Sequence, residues 1–214
     1  MDVLYIPKQY QETDPAVIAD FIKHNDFATV ISVVEGLPVA SHIPLELVDQ
    51  DGKQLLWGHF ARANKQWQSF DPDQQILVIF AGAHSYISPR WYTQPQVPTW
   101  NYMVVHVYGK PRLIHEGPEL YNIVHRLTAI YEANAATPPY TLESLPPDLV
   151  EKQLKGIVGF EIVVERIEAK FKMSQNRDAE SYANIIEALH ATGDDVKQAV
   201  AAEMERRQDG LFGE

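Results

Sequence analysis

The sequence predicts a mainly β, α+β fold: a small β-barrel with peripheral helices and a helical C-terminal segment. Two observations carry this prediction. About seven segments of strand length, rich in β-branched and aromatic residues, are joined by short turns. Helical segments punctuate this series without alternating regularly with the strands, so the βαβ pattern of a parallel sheet is missing.

The first strands are expected to form an antiparallel meander after one N-terminal helix. That helix runs from about Asp14 to His24 and has one apolar face. Phe27 to Val34 is β-branched, Leu37 to Leu47 alternates and is predicted as a single strand, and Lys53 to His59 follows a second turn. These three strands are therefore predicted to pair as hairpins.

The later strands enclose a proline-bearing loop. Ile76 to Phe80 is a continuous apolar run, which is typical of a buried central strand. Residues 89–98 contain three prolines and are predicted to form a binding loop. Thr99 to Val107 resumes strand character, Gly109-Lys110-Pro111 is predicted to interrupt it, and Ile157 to Arg166 is the last predicted strand.

Helical patterns recur in four later segments, which are Asn64 to Phe70, Pro118 to Glu132, Asp148 to Lys155 and the tail from Asp178 to Arg207. The tail is expected to break at Thr192-Gly193-Asp194, and a proline-rich connector runs from Thr137 to Pro147. We predict one barrel domain over residues 1–177 and a helical extension over residues 178–214 that packs on the same domain.

Composition excludes several classes of site and partner. The chain has no cysteine, which rules out disulfides, iron–sulfur clusters and thiolate metal sites. The net charge of −11 disfavours attraction of the whole surface to nucleic acid or to an anionic membrane. No apolar run approaches the roughly 18 residues that span a bilayer, and Met1-Asp2-Val3 does not begin like a signal peptide. We therefore expect a cytoplasmic protein.

Common catalytic and nucleotide-binding motifs are missing from the sequence. Gly109-Lys110 lacks the spacing of a phosphate loop, and no G-x-G-x-x-G follows a strand. Ser85 and Ser88 lie outside any G-x-S-x-G context, and the eight histidines contain no H-E-x-x-H pair. Helix-turn-helix and zinc-finger patterns are also missing. Motifs therefore assign neither a metal site nor a catalytic residue.

An aromatic and cationic stretch is the strongest functional signal in the residue types. Residues 55–102 contain all four tryptophans, interleaved with histidines and cations. This mixture suits a flat, anionic ligand, and the alternative is that the tryptophans fill a core. Gly58 to Lys65 ends a strand and opens a short helix, where free N–H groups and two cations would suit a phosphate. Two further polar clusters lie at Ser41 to Pro44 and at Lys170 to Arg177.

The chain resembles one known family along almost its full length. The motifs YIPKQYQETD, SHIPLEL, GHFARANKQW, YISPRWY, VPTWNYMVVHVYG and KFKMSQNR occur in this order. They are similar to those of the PaiB-type family of negative transcriptional regulators, within the FMN-binding split-barrel superfamily that includes pyridoxamine-phosphate oxidase. The resemblance implies a split β-barrel that forms a homodimer and binds FMN in a groove between protomers.

The resemblance also implies which residues contact the flavin, motif by motif. SHIP would line the polar edge of the isoalloxazine ring with Ser41, His42 and Ile43. GHFARANK would surround the phosphate with His59, Arg62, Asn64 and the further candidate Lys65. The loop and strand that face the cofactor, from the same or the partner chain, would contribute Trp91, Trp100 and Asn101. SQNR would contribute Ser174, Gln175 and Asn176. The chain departs from the family in having only Thr93-Gln94-Pro95-Gln96 where relatives carry a longer, more basic loop.

The resemblance favours an FMN-binding protein with a regulatory or sensory role. A second hypothesis is a flavin-dependent oxidoreductase acting on an unidentified small molecule, with Tyr86, His84 or His106 as acid or base. A third is haem binding, because some split-barrel relatives hold haem and histidines can serve as axial ligands. Direct binding of DNA rests on the family's regulator label alone.

Overall fold

The structure is a computed structural model that describes residues 4–133, 135, 138 and 140–213. Within them, the strands are β1 Gln11–Glu12, β2 Phe27–Val34, β3 Leu37–Pro44, β4 Glu46–Gln50, β5 Lys53–Ala61, β6 Ile76–Ile87, β7 Thr99–Ile114 and β8 Ile157–Lys172. The α-helices are α1 Pro15–His24, α2 Pro118–Glu132, α3 Pro147–Leu154, α4 Ala179–His190 and α5 Asp195–Phe212. No helix in this part of the chain is long and apolar enough to cross a membrane.

The strands form one sheet in the order β3-β2-β6-β7-β8-β5-β4, and β1 pairs with β8. Val30 of β2 lies opposite Ser41 of β3 and Val78 of β6, both in antiparallel registers. In the same way, β5 pairs with β4 and with β8, which places His59 opposite Gly159. Because β3 ends the order, its outer edge has no partner strand among the described residues.

The chain divides into two compact units. We call Met1–Phe21, Ala81–Val105 and Glu168–Glu214 the terminal unit, and Ile22–Phe80 and His106–Ile167 the central unit. Strands β6, β7 and β8 each contribute residues to both units. The boundary that the sequence predicts after residue 177 remains a prediction, because this division does not test it.

Aromatic rings form the core of the central unit. Phe60 and Phe70 lie 5.4 Å apart between ring centres, and Phe160 lies 5.0 Å from Phe60. Burial of each such side chain stabilises the fold by about 1.5–3 kcal/mol. Helix α2 covers another part of the unit through a separate apolar cluster, which consists of Ile114, Leu120, Ile123 and Leu127.

The terminal unit has a core of its own. The rings of Phe21 and Phe171 lie 4.9 Å apart, and the fully buried Tyr182 of α4 donates a 2.9 Å hydrogen bond to the Met204 carbonyl of α5. Asp178 begins α4 by accepting a 2.8 Å hydrogen bond from the Ser181 N–H, an N-cap contact that satisfies a helix donor.

Several predicted elements are confirmed. Helix α2 has the predicted bounds, and α1 and α4–α5 lie where helical periodicity placed them, with the break at Thr192-Gly193-Asp194. The short helix after β5 is a 3-10 helix over Lys65–Ser69, capped by Asn64 as predicted. The predicted connector from Thr137 to Pro147 includes residues 137 and 139, which lie outside the described residues.

Other predicted boundaries are wrong. Leu37 to Leu47 is two strands, because the buried Leu45 breaks the ladder and donates its N–H to the Asp26 carbonyl at 2.9 Å. Gly109 does not interrupt β7. A Cβ atom there would lie 2.3 Å from the Val163 carbonyl oxygen, so this glycine allows close contact with β8. Strand β8 also extends past Arg166 to Lys172.

Candidate functional site

Ser41 and Asn64 join the edge strand β3 to the short helix after β5. The Asn64 Oδ1 atom accepts a 3.0 Å hydrogen bond from the Gln66 N–H, and the Asn64 Nδ2 atom donates a 2.8 Å hydrogen bond to Ser41 Oγ. A hydroxyl that accepts one hydrogen bond retains its own O–H for donation. The Ser41 hydroxyl is therefore a positioned donor for a ligand at this edge.

Gln66 fixes the short helix against the sheet. Its side chain is 3% exposed, and its Nε2 atom lies 2.9 Å from the Val30 carbonyl oxygen and 3.1 Å from that of Val39. Its Oε1 atom is buried without a partner among the described residues. Sequence reasoning missed this residue, because no sequence pattern indicates that a glutamine in a polar segment will be buried.

Lys65 is the cation that this arrangement leaves uncommitted. It begins the 3-10 helix directly after Asn64 and is exposed. In the described part of the chain, its ammonium group has neither a hydrogen-bond acceptor nor a carboxylate partner. With the Ser41 hydroxyl, it provides the donor and the charge that a phosphate group requires.

The Arg62 guanidinium is directed toward backbone carbonyls. Its Nε atom donates to the Lys155 carbonyl at 2.8 Å, and its Nη2 atom donates to the carbonyls of Ile157 at 2.8 Å and His115 at 3.3 Å. These contacts connect the end of β5 to the start of β8 and to the end of β7. The predicted phosphate role of Arg62 remains a prediction, and only its Nη1 group is still uncommitted.

The three predicted site residues of the SHIP motif do not share one environment. Ser41 contacts Asn64, whereas His42 Nδ1 lies 2.9 Å from Thr29 Oγ1, with its ring 6.4 Å from that of Phe27. Successive side chains of a strand point to opposite faces, so Ile43 shares the face of Ser41 and His42 occupies the other. The structure therefore groups Ser41 and Ile43 but not His42.

His59 lies on the face of β5 that α2 covers. Its register partner is Gly159, where a Cβ atom would lie 2.7 Å from Leu120 Cδ1 of α2, and opposed residues of an antiparallel pair share a face. His59 Nδ1 is buried without a partner among the described residues, and burial lowers the pKa of this imidazole. The adjacent Gly58 accommodates Leu45, whose Cδ2 would lie 2.3 Å from an added Cβ atom.

Asn101 and Ser174 form a buried pair in the terminal unit. Ser174 Oγ donates a 2.9 Å hydrogen bond to Asn101 Oδ1, and Asn101 is fully buried. Ser174 adopts a left-handed backbone with φ of 61°, which is unfavourable for a residue with a side chain. Gln175 stabilises the same turn by accepting from the Met173 N–H and donating to the Phe171 carbonyl. These residues build the turn, while Asn176 beside them is exposed.

Trp100 belongs to an exposed aromatic group. It is 52% exposed, and its ring centre lies 6.0 Å from that of Tyr86 and 6.2 Å from that of His84. Trp91 is half-buried at the end of a 3-10 helix over Pro89–Trp91. Aromatic faces open to solvent in this way suit stacking of a flat ring.

Two cations that sequence reasoning left out of the site also lie in the terminal unit. Lys172 and Arg177 flank the SQNR turn and contact the two ends of the proline-bearing loop, at Thr99 and Tyr92. The sequence signal that could have identified them is the Lys-x-Lys pattern at the end of a strand with an arginine shortly after it. Among the described residues, no group of three or more histidine or acidic side chains is arranged to hold a metal ion.

Comparisons with known proteins agree on the fold and the family. The family model described as "Putative FMN-binding domain" matches residues 4–166. The Protease synthase and sporulation protein PAI 2 of Bacillus subtilis is 42% identical over 186 residues, which cover 87% of this chain and 89% of that protein.

Two solved structures share the fold at low identity. The Flavocytochrome Anf3 from Azotobacter vinelandii superposes with a TM-score of 0.62 at 14% identity, over 86% of this chain and 80% of that chain. The FAD and Heme binding protein from Mycobacterium smegmatis has a TM-score of 0.59 at 15% identity, over 76% and 73% of the two chains. At these identities the likeness establishes the fold alone.

Proposed function

Because the chain belongs to the PaiB-type family of FMN-binding split β-barrels, we propose that FMN is its resident cofactor. The observation that carries the proposal is the set of donors at the edge of β3, where Asn64 orients the Ser41 hydroxyl and caps the short helix that begins at the uncommitted Lys65. On a chain of net charge −11, local donors of this kind are what a phosphate dianion needs.

The residues of the central unit would hold the phosphate end of the cofactor. Ser41 and Lys65 would contact the phosphate, and Asn64 would orient Ser41 through its amide. The uncommitted Nη1 group of Arg62 is a further donor in the same segment. His59 fits this role less well, because it lies on the face of β5 that α2 covers. His42, which the family resemblance assigns to the polar edge of the flavin ring, faces Thr29.

The terminal unit, of the same or the partner chain, carries aromatic groups that are candidates for stacking on the flat ring of the flavin. Trp100 is the best candidate, since it is exposed and lies beside Tyr86 and His84. Trp91 is half-buried beside the same loop. Asn101, Ser174 and Gln175 would support the site by fixing the backbone, because their polar atoms already bond within the protein. Asn176 remains available to a ligand.

The cellular role that we propose is regulation by a homodimer of the PaiB type. The homologous protein of Bacillus subtilis is named a protease synthase and sporulation protein, and the mention of sporulation is consistent with control of other genes. The net charge of −11 disfavours non-specific attraction to DNA. A gel-shift titration at two salt concentrations tests direct binding, and lack of binding at low salt would restrict the role to indirect regulation.

A flavin-dependent oxidoreductase is the second candidate function. The observation that favours it is the position of His84 and Tyr86 beside Trp100, where a proton donor would stand next to a stacked flavin. Bound FMN would supply the electron transfer, and these two residues would hold or move a proton. Turnover of a reduced nicotinamide cofactor by the FMN-loaded protein, lost in Tyr86→Phe, would favour this role.

Haem is the alternative cofactor, since the two solved structures described above are named a FAD and Heme binding protein and a Flavocytochrome. The absorption spectrum of freshly purified protein separates the possibilities. We expect the near-ultraviolet and visible absorption bands of an oxidised flavin, and release of FMN on heat denaturation. A Soret band with no flavin in the supernatant would overturn the assignment to FMN.

A further inference from the structure

Three cations cluster at the end of β8 in the terminal unit. Lys170 is buried, donates a 3.0 Å hydrogen bond to the Tyr5 carbonyl and lies 5.4 Å from the centre of the Tyr102 ring. Lys172 donates to Thr99 Oγ1, and burial together with the charges of Lys170 and Arg177 lowers the pKa of its ammonium group. In the described residues, neither Lys172 nor Arg177 forms an ion pair with a carboxylate.

The Arg177 side chain is stacked and only partly satisfied. Its guanidinium carbon lies 4.4 Å from the centre of the Tyr92 ring. The Arg177 Nε atom and the Tyr92 hydroxyl are both buried without a hydrogen-bond partner among the described residues. A buried donor without a partner is unfavourable and rare, so two of them in one contact indicate a missing acceptor.

The neighbouring acidic group does not neutralise this cluster. Asp178 directly follows Arg177, but its carboxylate accepts from the Ser181 N–H at 2.8 Å, from Ser181 Oγ at 2.8 Å and from Thr93 Oγ1 at 3.3 Å. These hydrogen bonds lower the pKa of Asp178, with the Ser181 backbone contact as the largest cause. Asp178 is thus occupied in beginning α4 and holding the loop.

The cluster is held in place before any ligand arrives. Arg177 donates its N–H to the Ser174 carbonyl at 3.0 Å within the turn that the Asn101–Ser174 hydrogen bond fixes. On the loop side, the Thr93 N–H donates to Ser181 Oγ at 3.0 Å. Lys172 and Arg177 therefore hold opposite ends of one loop at fixed positions. Fixed donors bind a ligand with little loss of side-chain entropy.

We propose that Lys172, Arg177 and the Tyr92 hydroxyl form a binding site for an oxyanion group, the phosphate or carboxylate of a small molecule. An ammonium, a guanidinium edge and a hydroxyl are complementary to the several acceptor oxygens of such a group. The proposal does not depend on FMN binding, because it uses none of the residues assigned to the phosphate of FMN.

The test is a calorimetric titration of the full chain with inorganic phosphate in an oxyanion-free buffer. We expect binding by the wild type and by the control Lys23→Met, which removes an exposed lysine of α1. Lys172→Met and Arg177→Gln are each expected to weaken phosphate by about tenfold, the value of one charge-assisted hydrogen bond. Absence of phosphate binding in the wild type, or equal affinity in all four proteins, would overturn the site.

Tyr92→Phe tests the hydroxyl separately, because it keeps the ring under Arg177. We expect weaker phosphate binding with an unchanged melting temperature in the absence of phosphate. Unchanged affinity would exclude the hydroxyl from the site. Melting curves of Lys172→Met and Arg177→Gln establish that each variant is folded before its affinity is compared.

Titration of phosphate into FMN-saturated protein identifies the source of the oxyanion. Retained binding would support a separate small-molecule ligand. Competition by FMN but not by riboflavin would support the cluster as the oxyanion site for the phosphate of FMN itself. It would overturn a separate ligand for the cluster and the assignment of that phosphate to Ser41 and Lys65. If the protein binds phosphate but not FMN, the result would overturn the proposed function and would support the oxyanion site.

Discussion

The Asn64 side chain donates a 2.8 Å hydrogen bond to Ser41 Oγ while its own oxygen caps the short helix that begins at Lys65. One side chain therefore sets both the orientation of the hydroxyl and the position of the lysine. We expect Asn64→Ala to lower the free energy of unfolding by about 1–2 kcal/mol, the value of one cap and one hydrogen bond. Denaturant unfolding measures this, with Gln68→Ala, an exposed residue of the same helix, as the control. Equal stability of the two variants would contradict the assignment.

Lys65→Ala tests the phosphate contact. We expect the affinity for FMN to fall by about tenfold, because one charge-assisted contact is lost. The affinity for riboflavin, which lacks the phosphate, should not change. Fluorescence titration with both flavins measures the difference, and Lys53→Ala provides a control at an exposed lysine of β5. Equal losses for FMN and riboflavin would exclude Lys65 as the phosphate ligand.

Arg62→Ala is expected to act on stability. The guanidinium donates to the carbonyls of Lys155, His115 and Ile157, and its removal takes away these three hydrogen bonds. We expect the free energy of unfolding to fall by roughly 2–4 kcal/mol. Arg62→Lys should recover only part of this, since an ammonium cannot reproduce the guanidinium geometry. A stable Arg62→Ala protein that loses FMN but keeps riboflavin would instead identify Arg62 as a phosphate ligand.

Trp100→Ala tests the ring contact. Trp100 is exposed beside Tyr86 and His84, so its loss should weaken FMN and riboflavin by the same factor. Its effect on stability should be small, because half of the side chain is already in water. Tyr140→Ala, at an aromatic residue of similar exposure (46% against 52%), is the matched control. A loss confined to FMN would show that Trp100 acts at the phosphate instead.

His59 predicts a dependence of stability on pH. Burial lowers the pKa of this imidazole below its ordinary value of 6.5, so the unfolded chain takes up a proton more readily than the folded one. Stability is fully present above pH 6.5 and falls as the pH drops toward the folded pKa. Each unit of pKa difference corresponds to about 1.4 kcal/mol. Unfolding curves of wild type and His59→Gln between neutral and mildly acidic pH should converge as the pH falls, whereas parallel pH profiles would contradict a buried neutral imidazole.

Local patterns predicted the elements better than their ends. The bounds of α2 follow from Gly117-Pro118 before it and from a regular apolar stripe, and both signals lie in the sequence itself. Gly109 was expected to end a strand, but its purpose depends on Val163, a residue more than fifty positions away. Pairing of that kind cannot be inferred from a single segment.

The candidate site likewise has local features that the sequence predicts and long-range contacts that it does not. The cap at Asn64 is local and was predictable, whereas the contact of Asn64 with Ser41 and the burial of Gln66 arise from packing of the short helix against β2 and β3. The prediction that Arg62 binds phosphate rests on its position before the start of a short helix and on the family resemblance. The hydrogen bonds that Arg62 donates to the carbonyls of Lys155, which follows α3, and Ile157, which begins β8, depend on the folded structure and cannot be inferred from the local sequence.

The central claim is that this chain binds FMN through its phosphate as well as its ring. Equilibrium titration of the apoprotein with FMN and with riboflavin tests it most directly. We expect saturable, equimolar binding of FMN, with riboflavin weaker by at least about tenfold because the phosphate contacts are missing. Absence of saturable FMN binding would contradict the claim outright, and equal affinities for the two flavins would contradict the phosphate site.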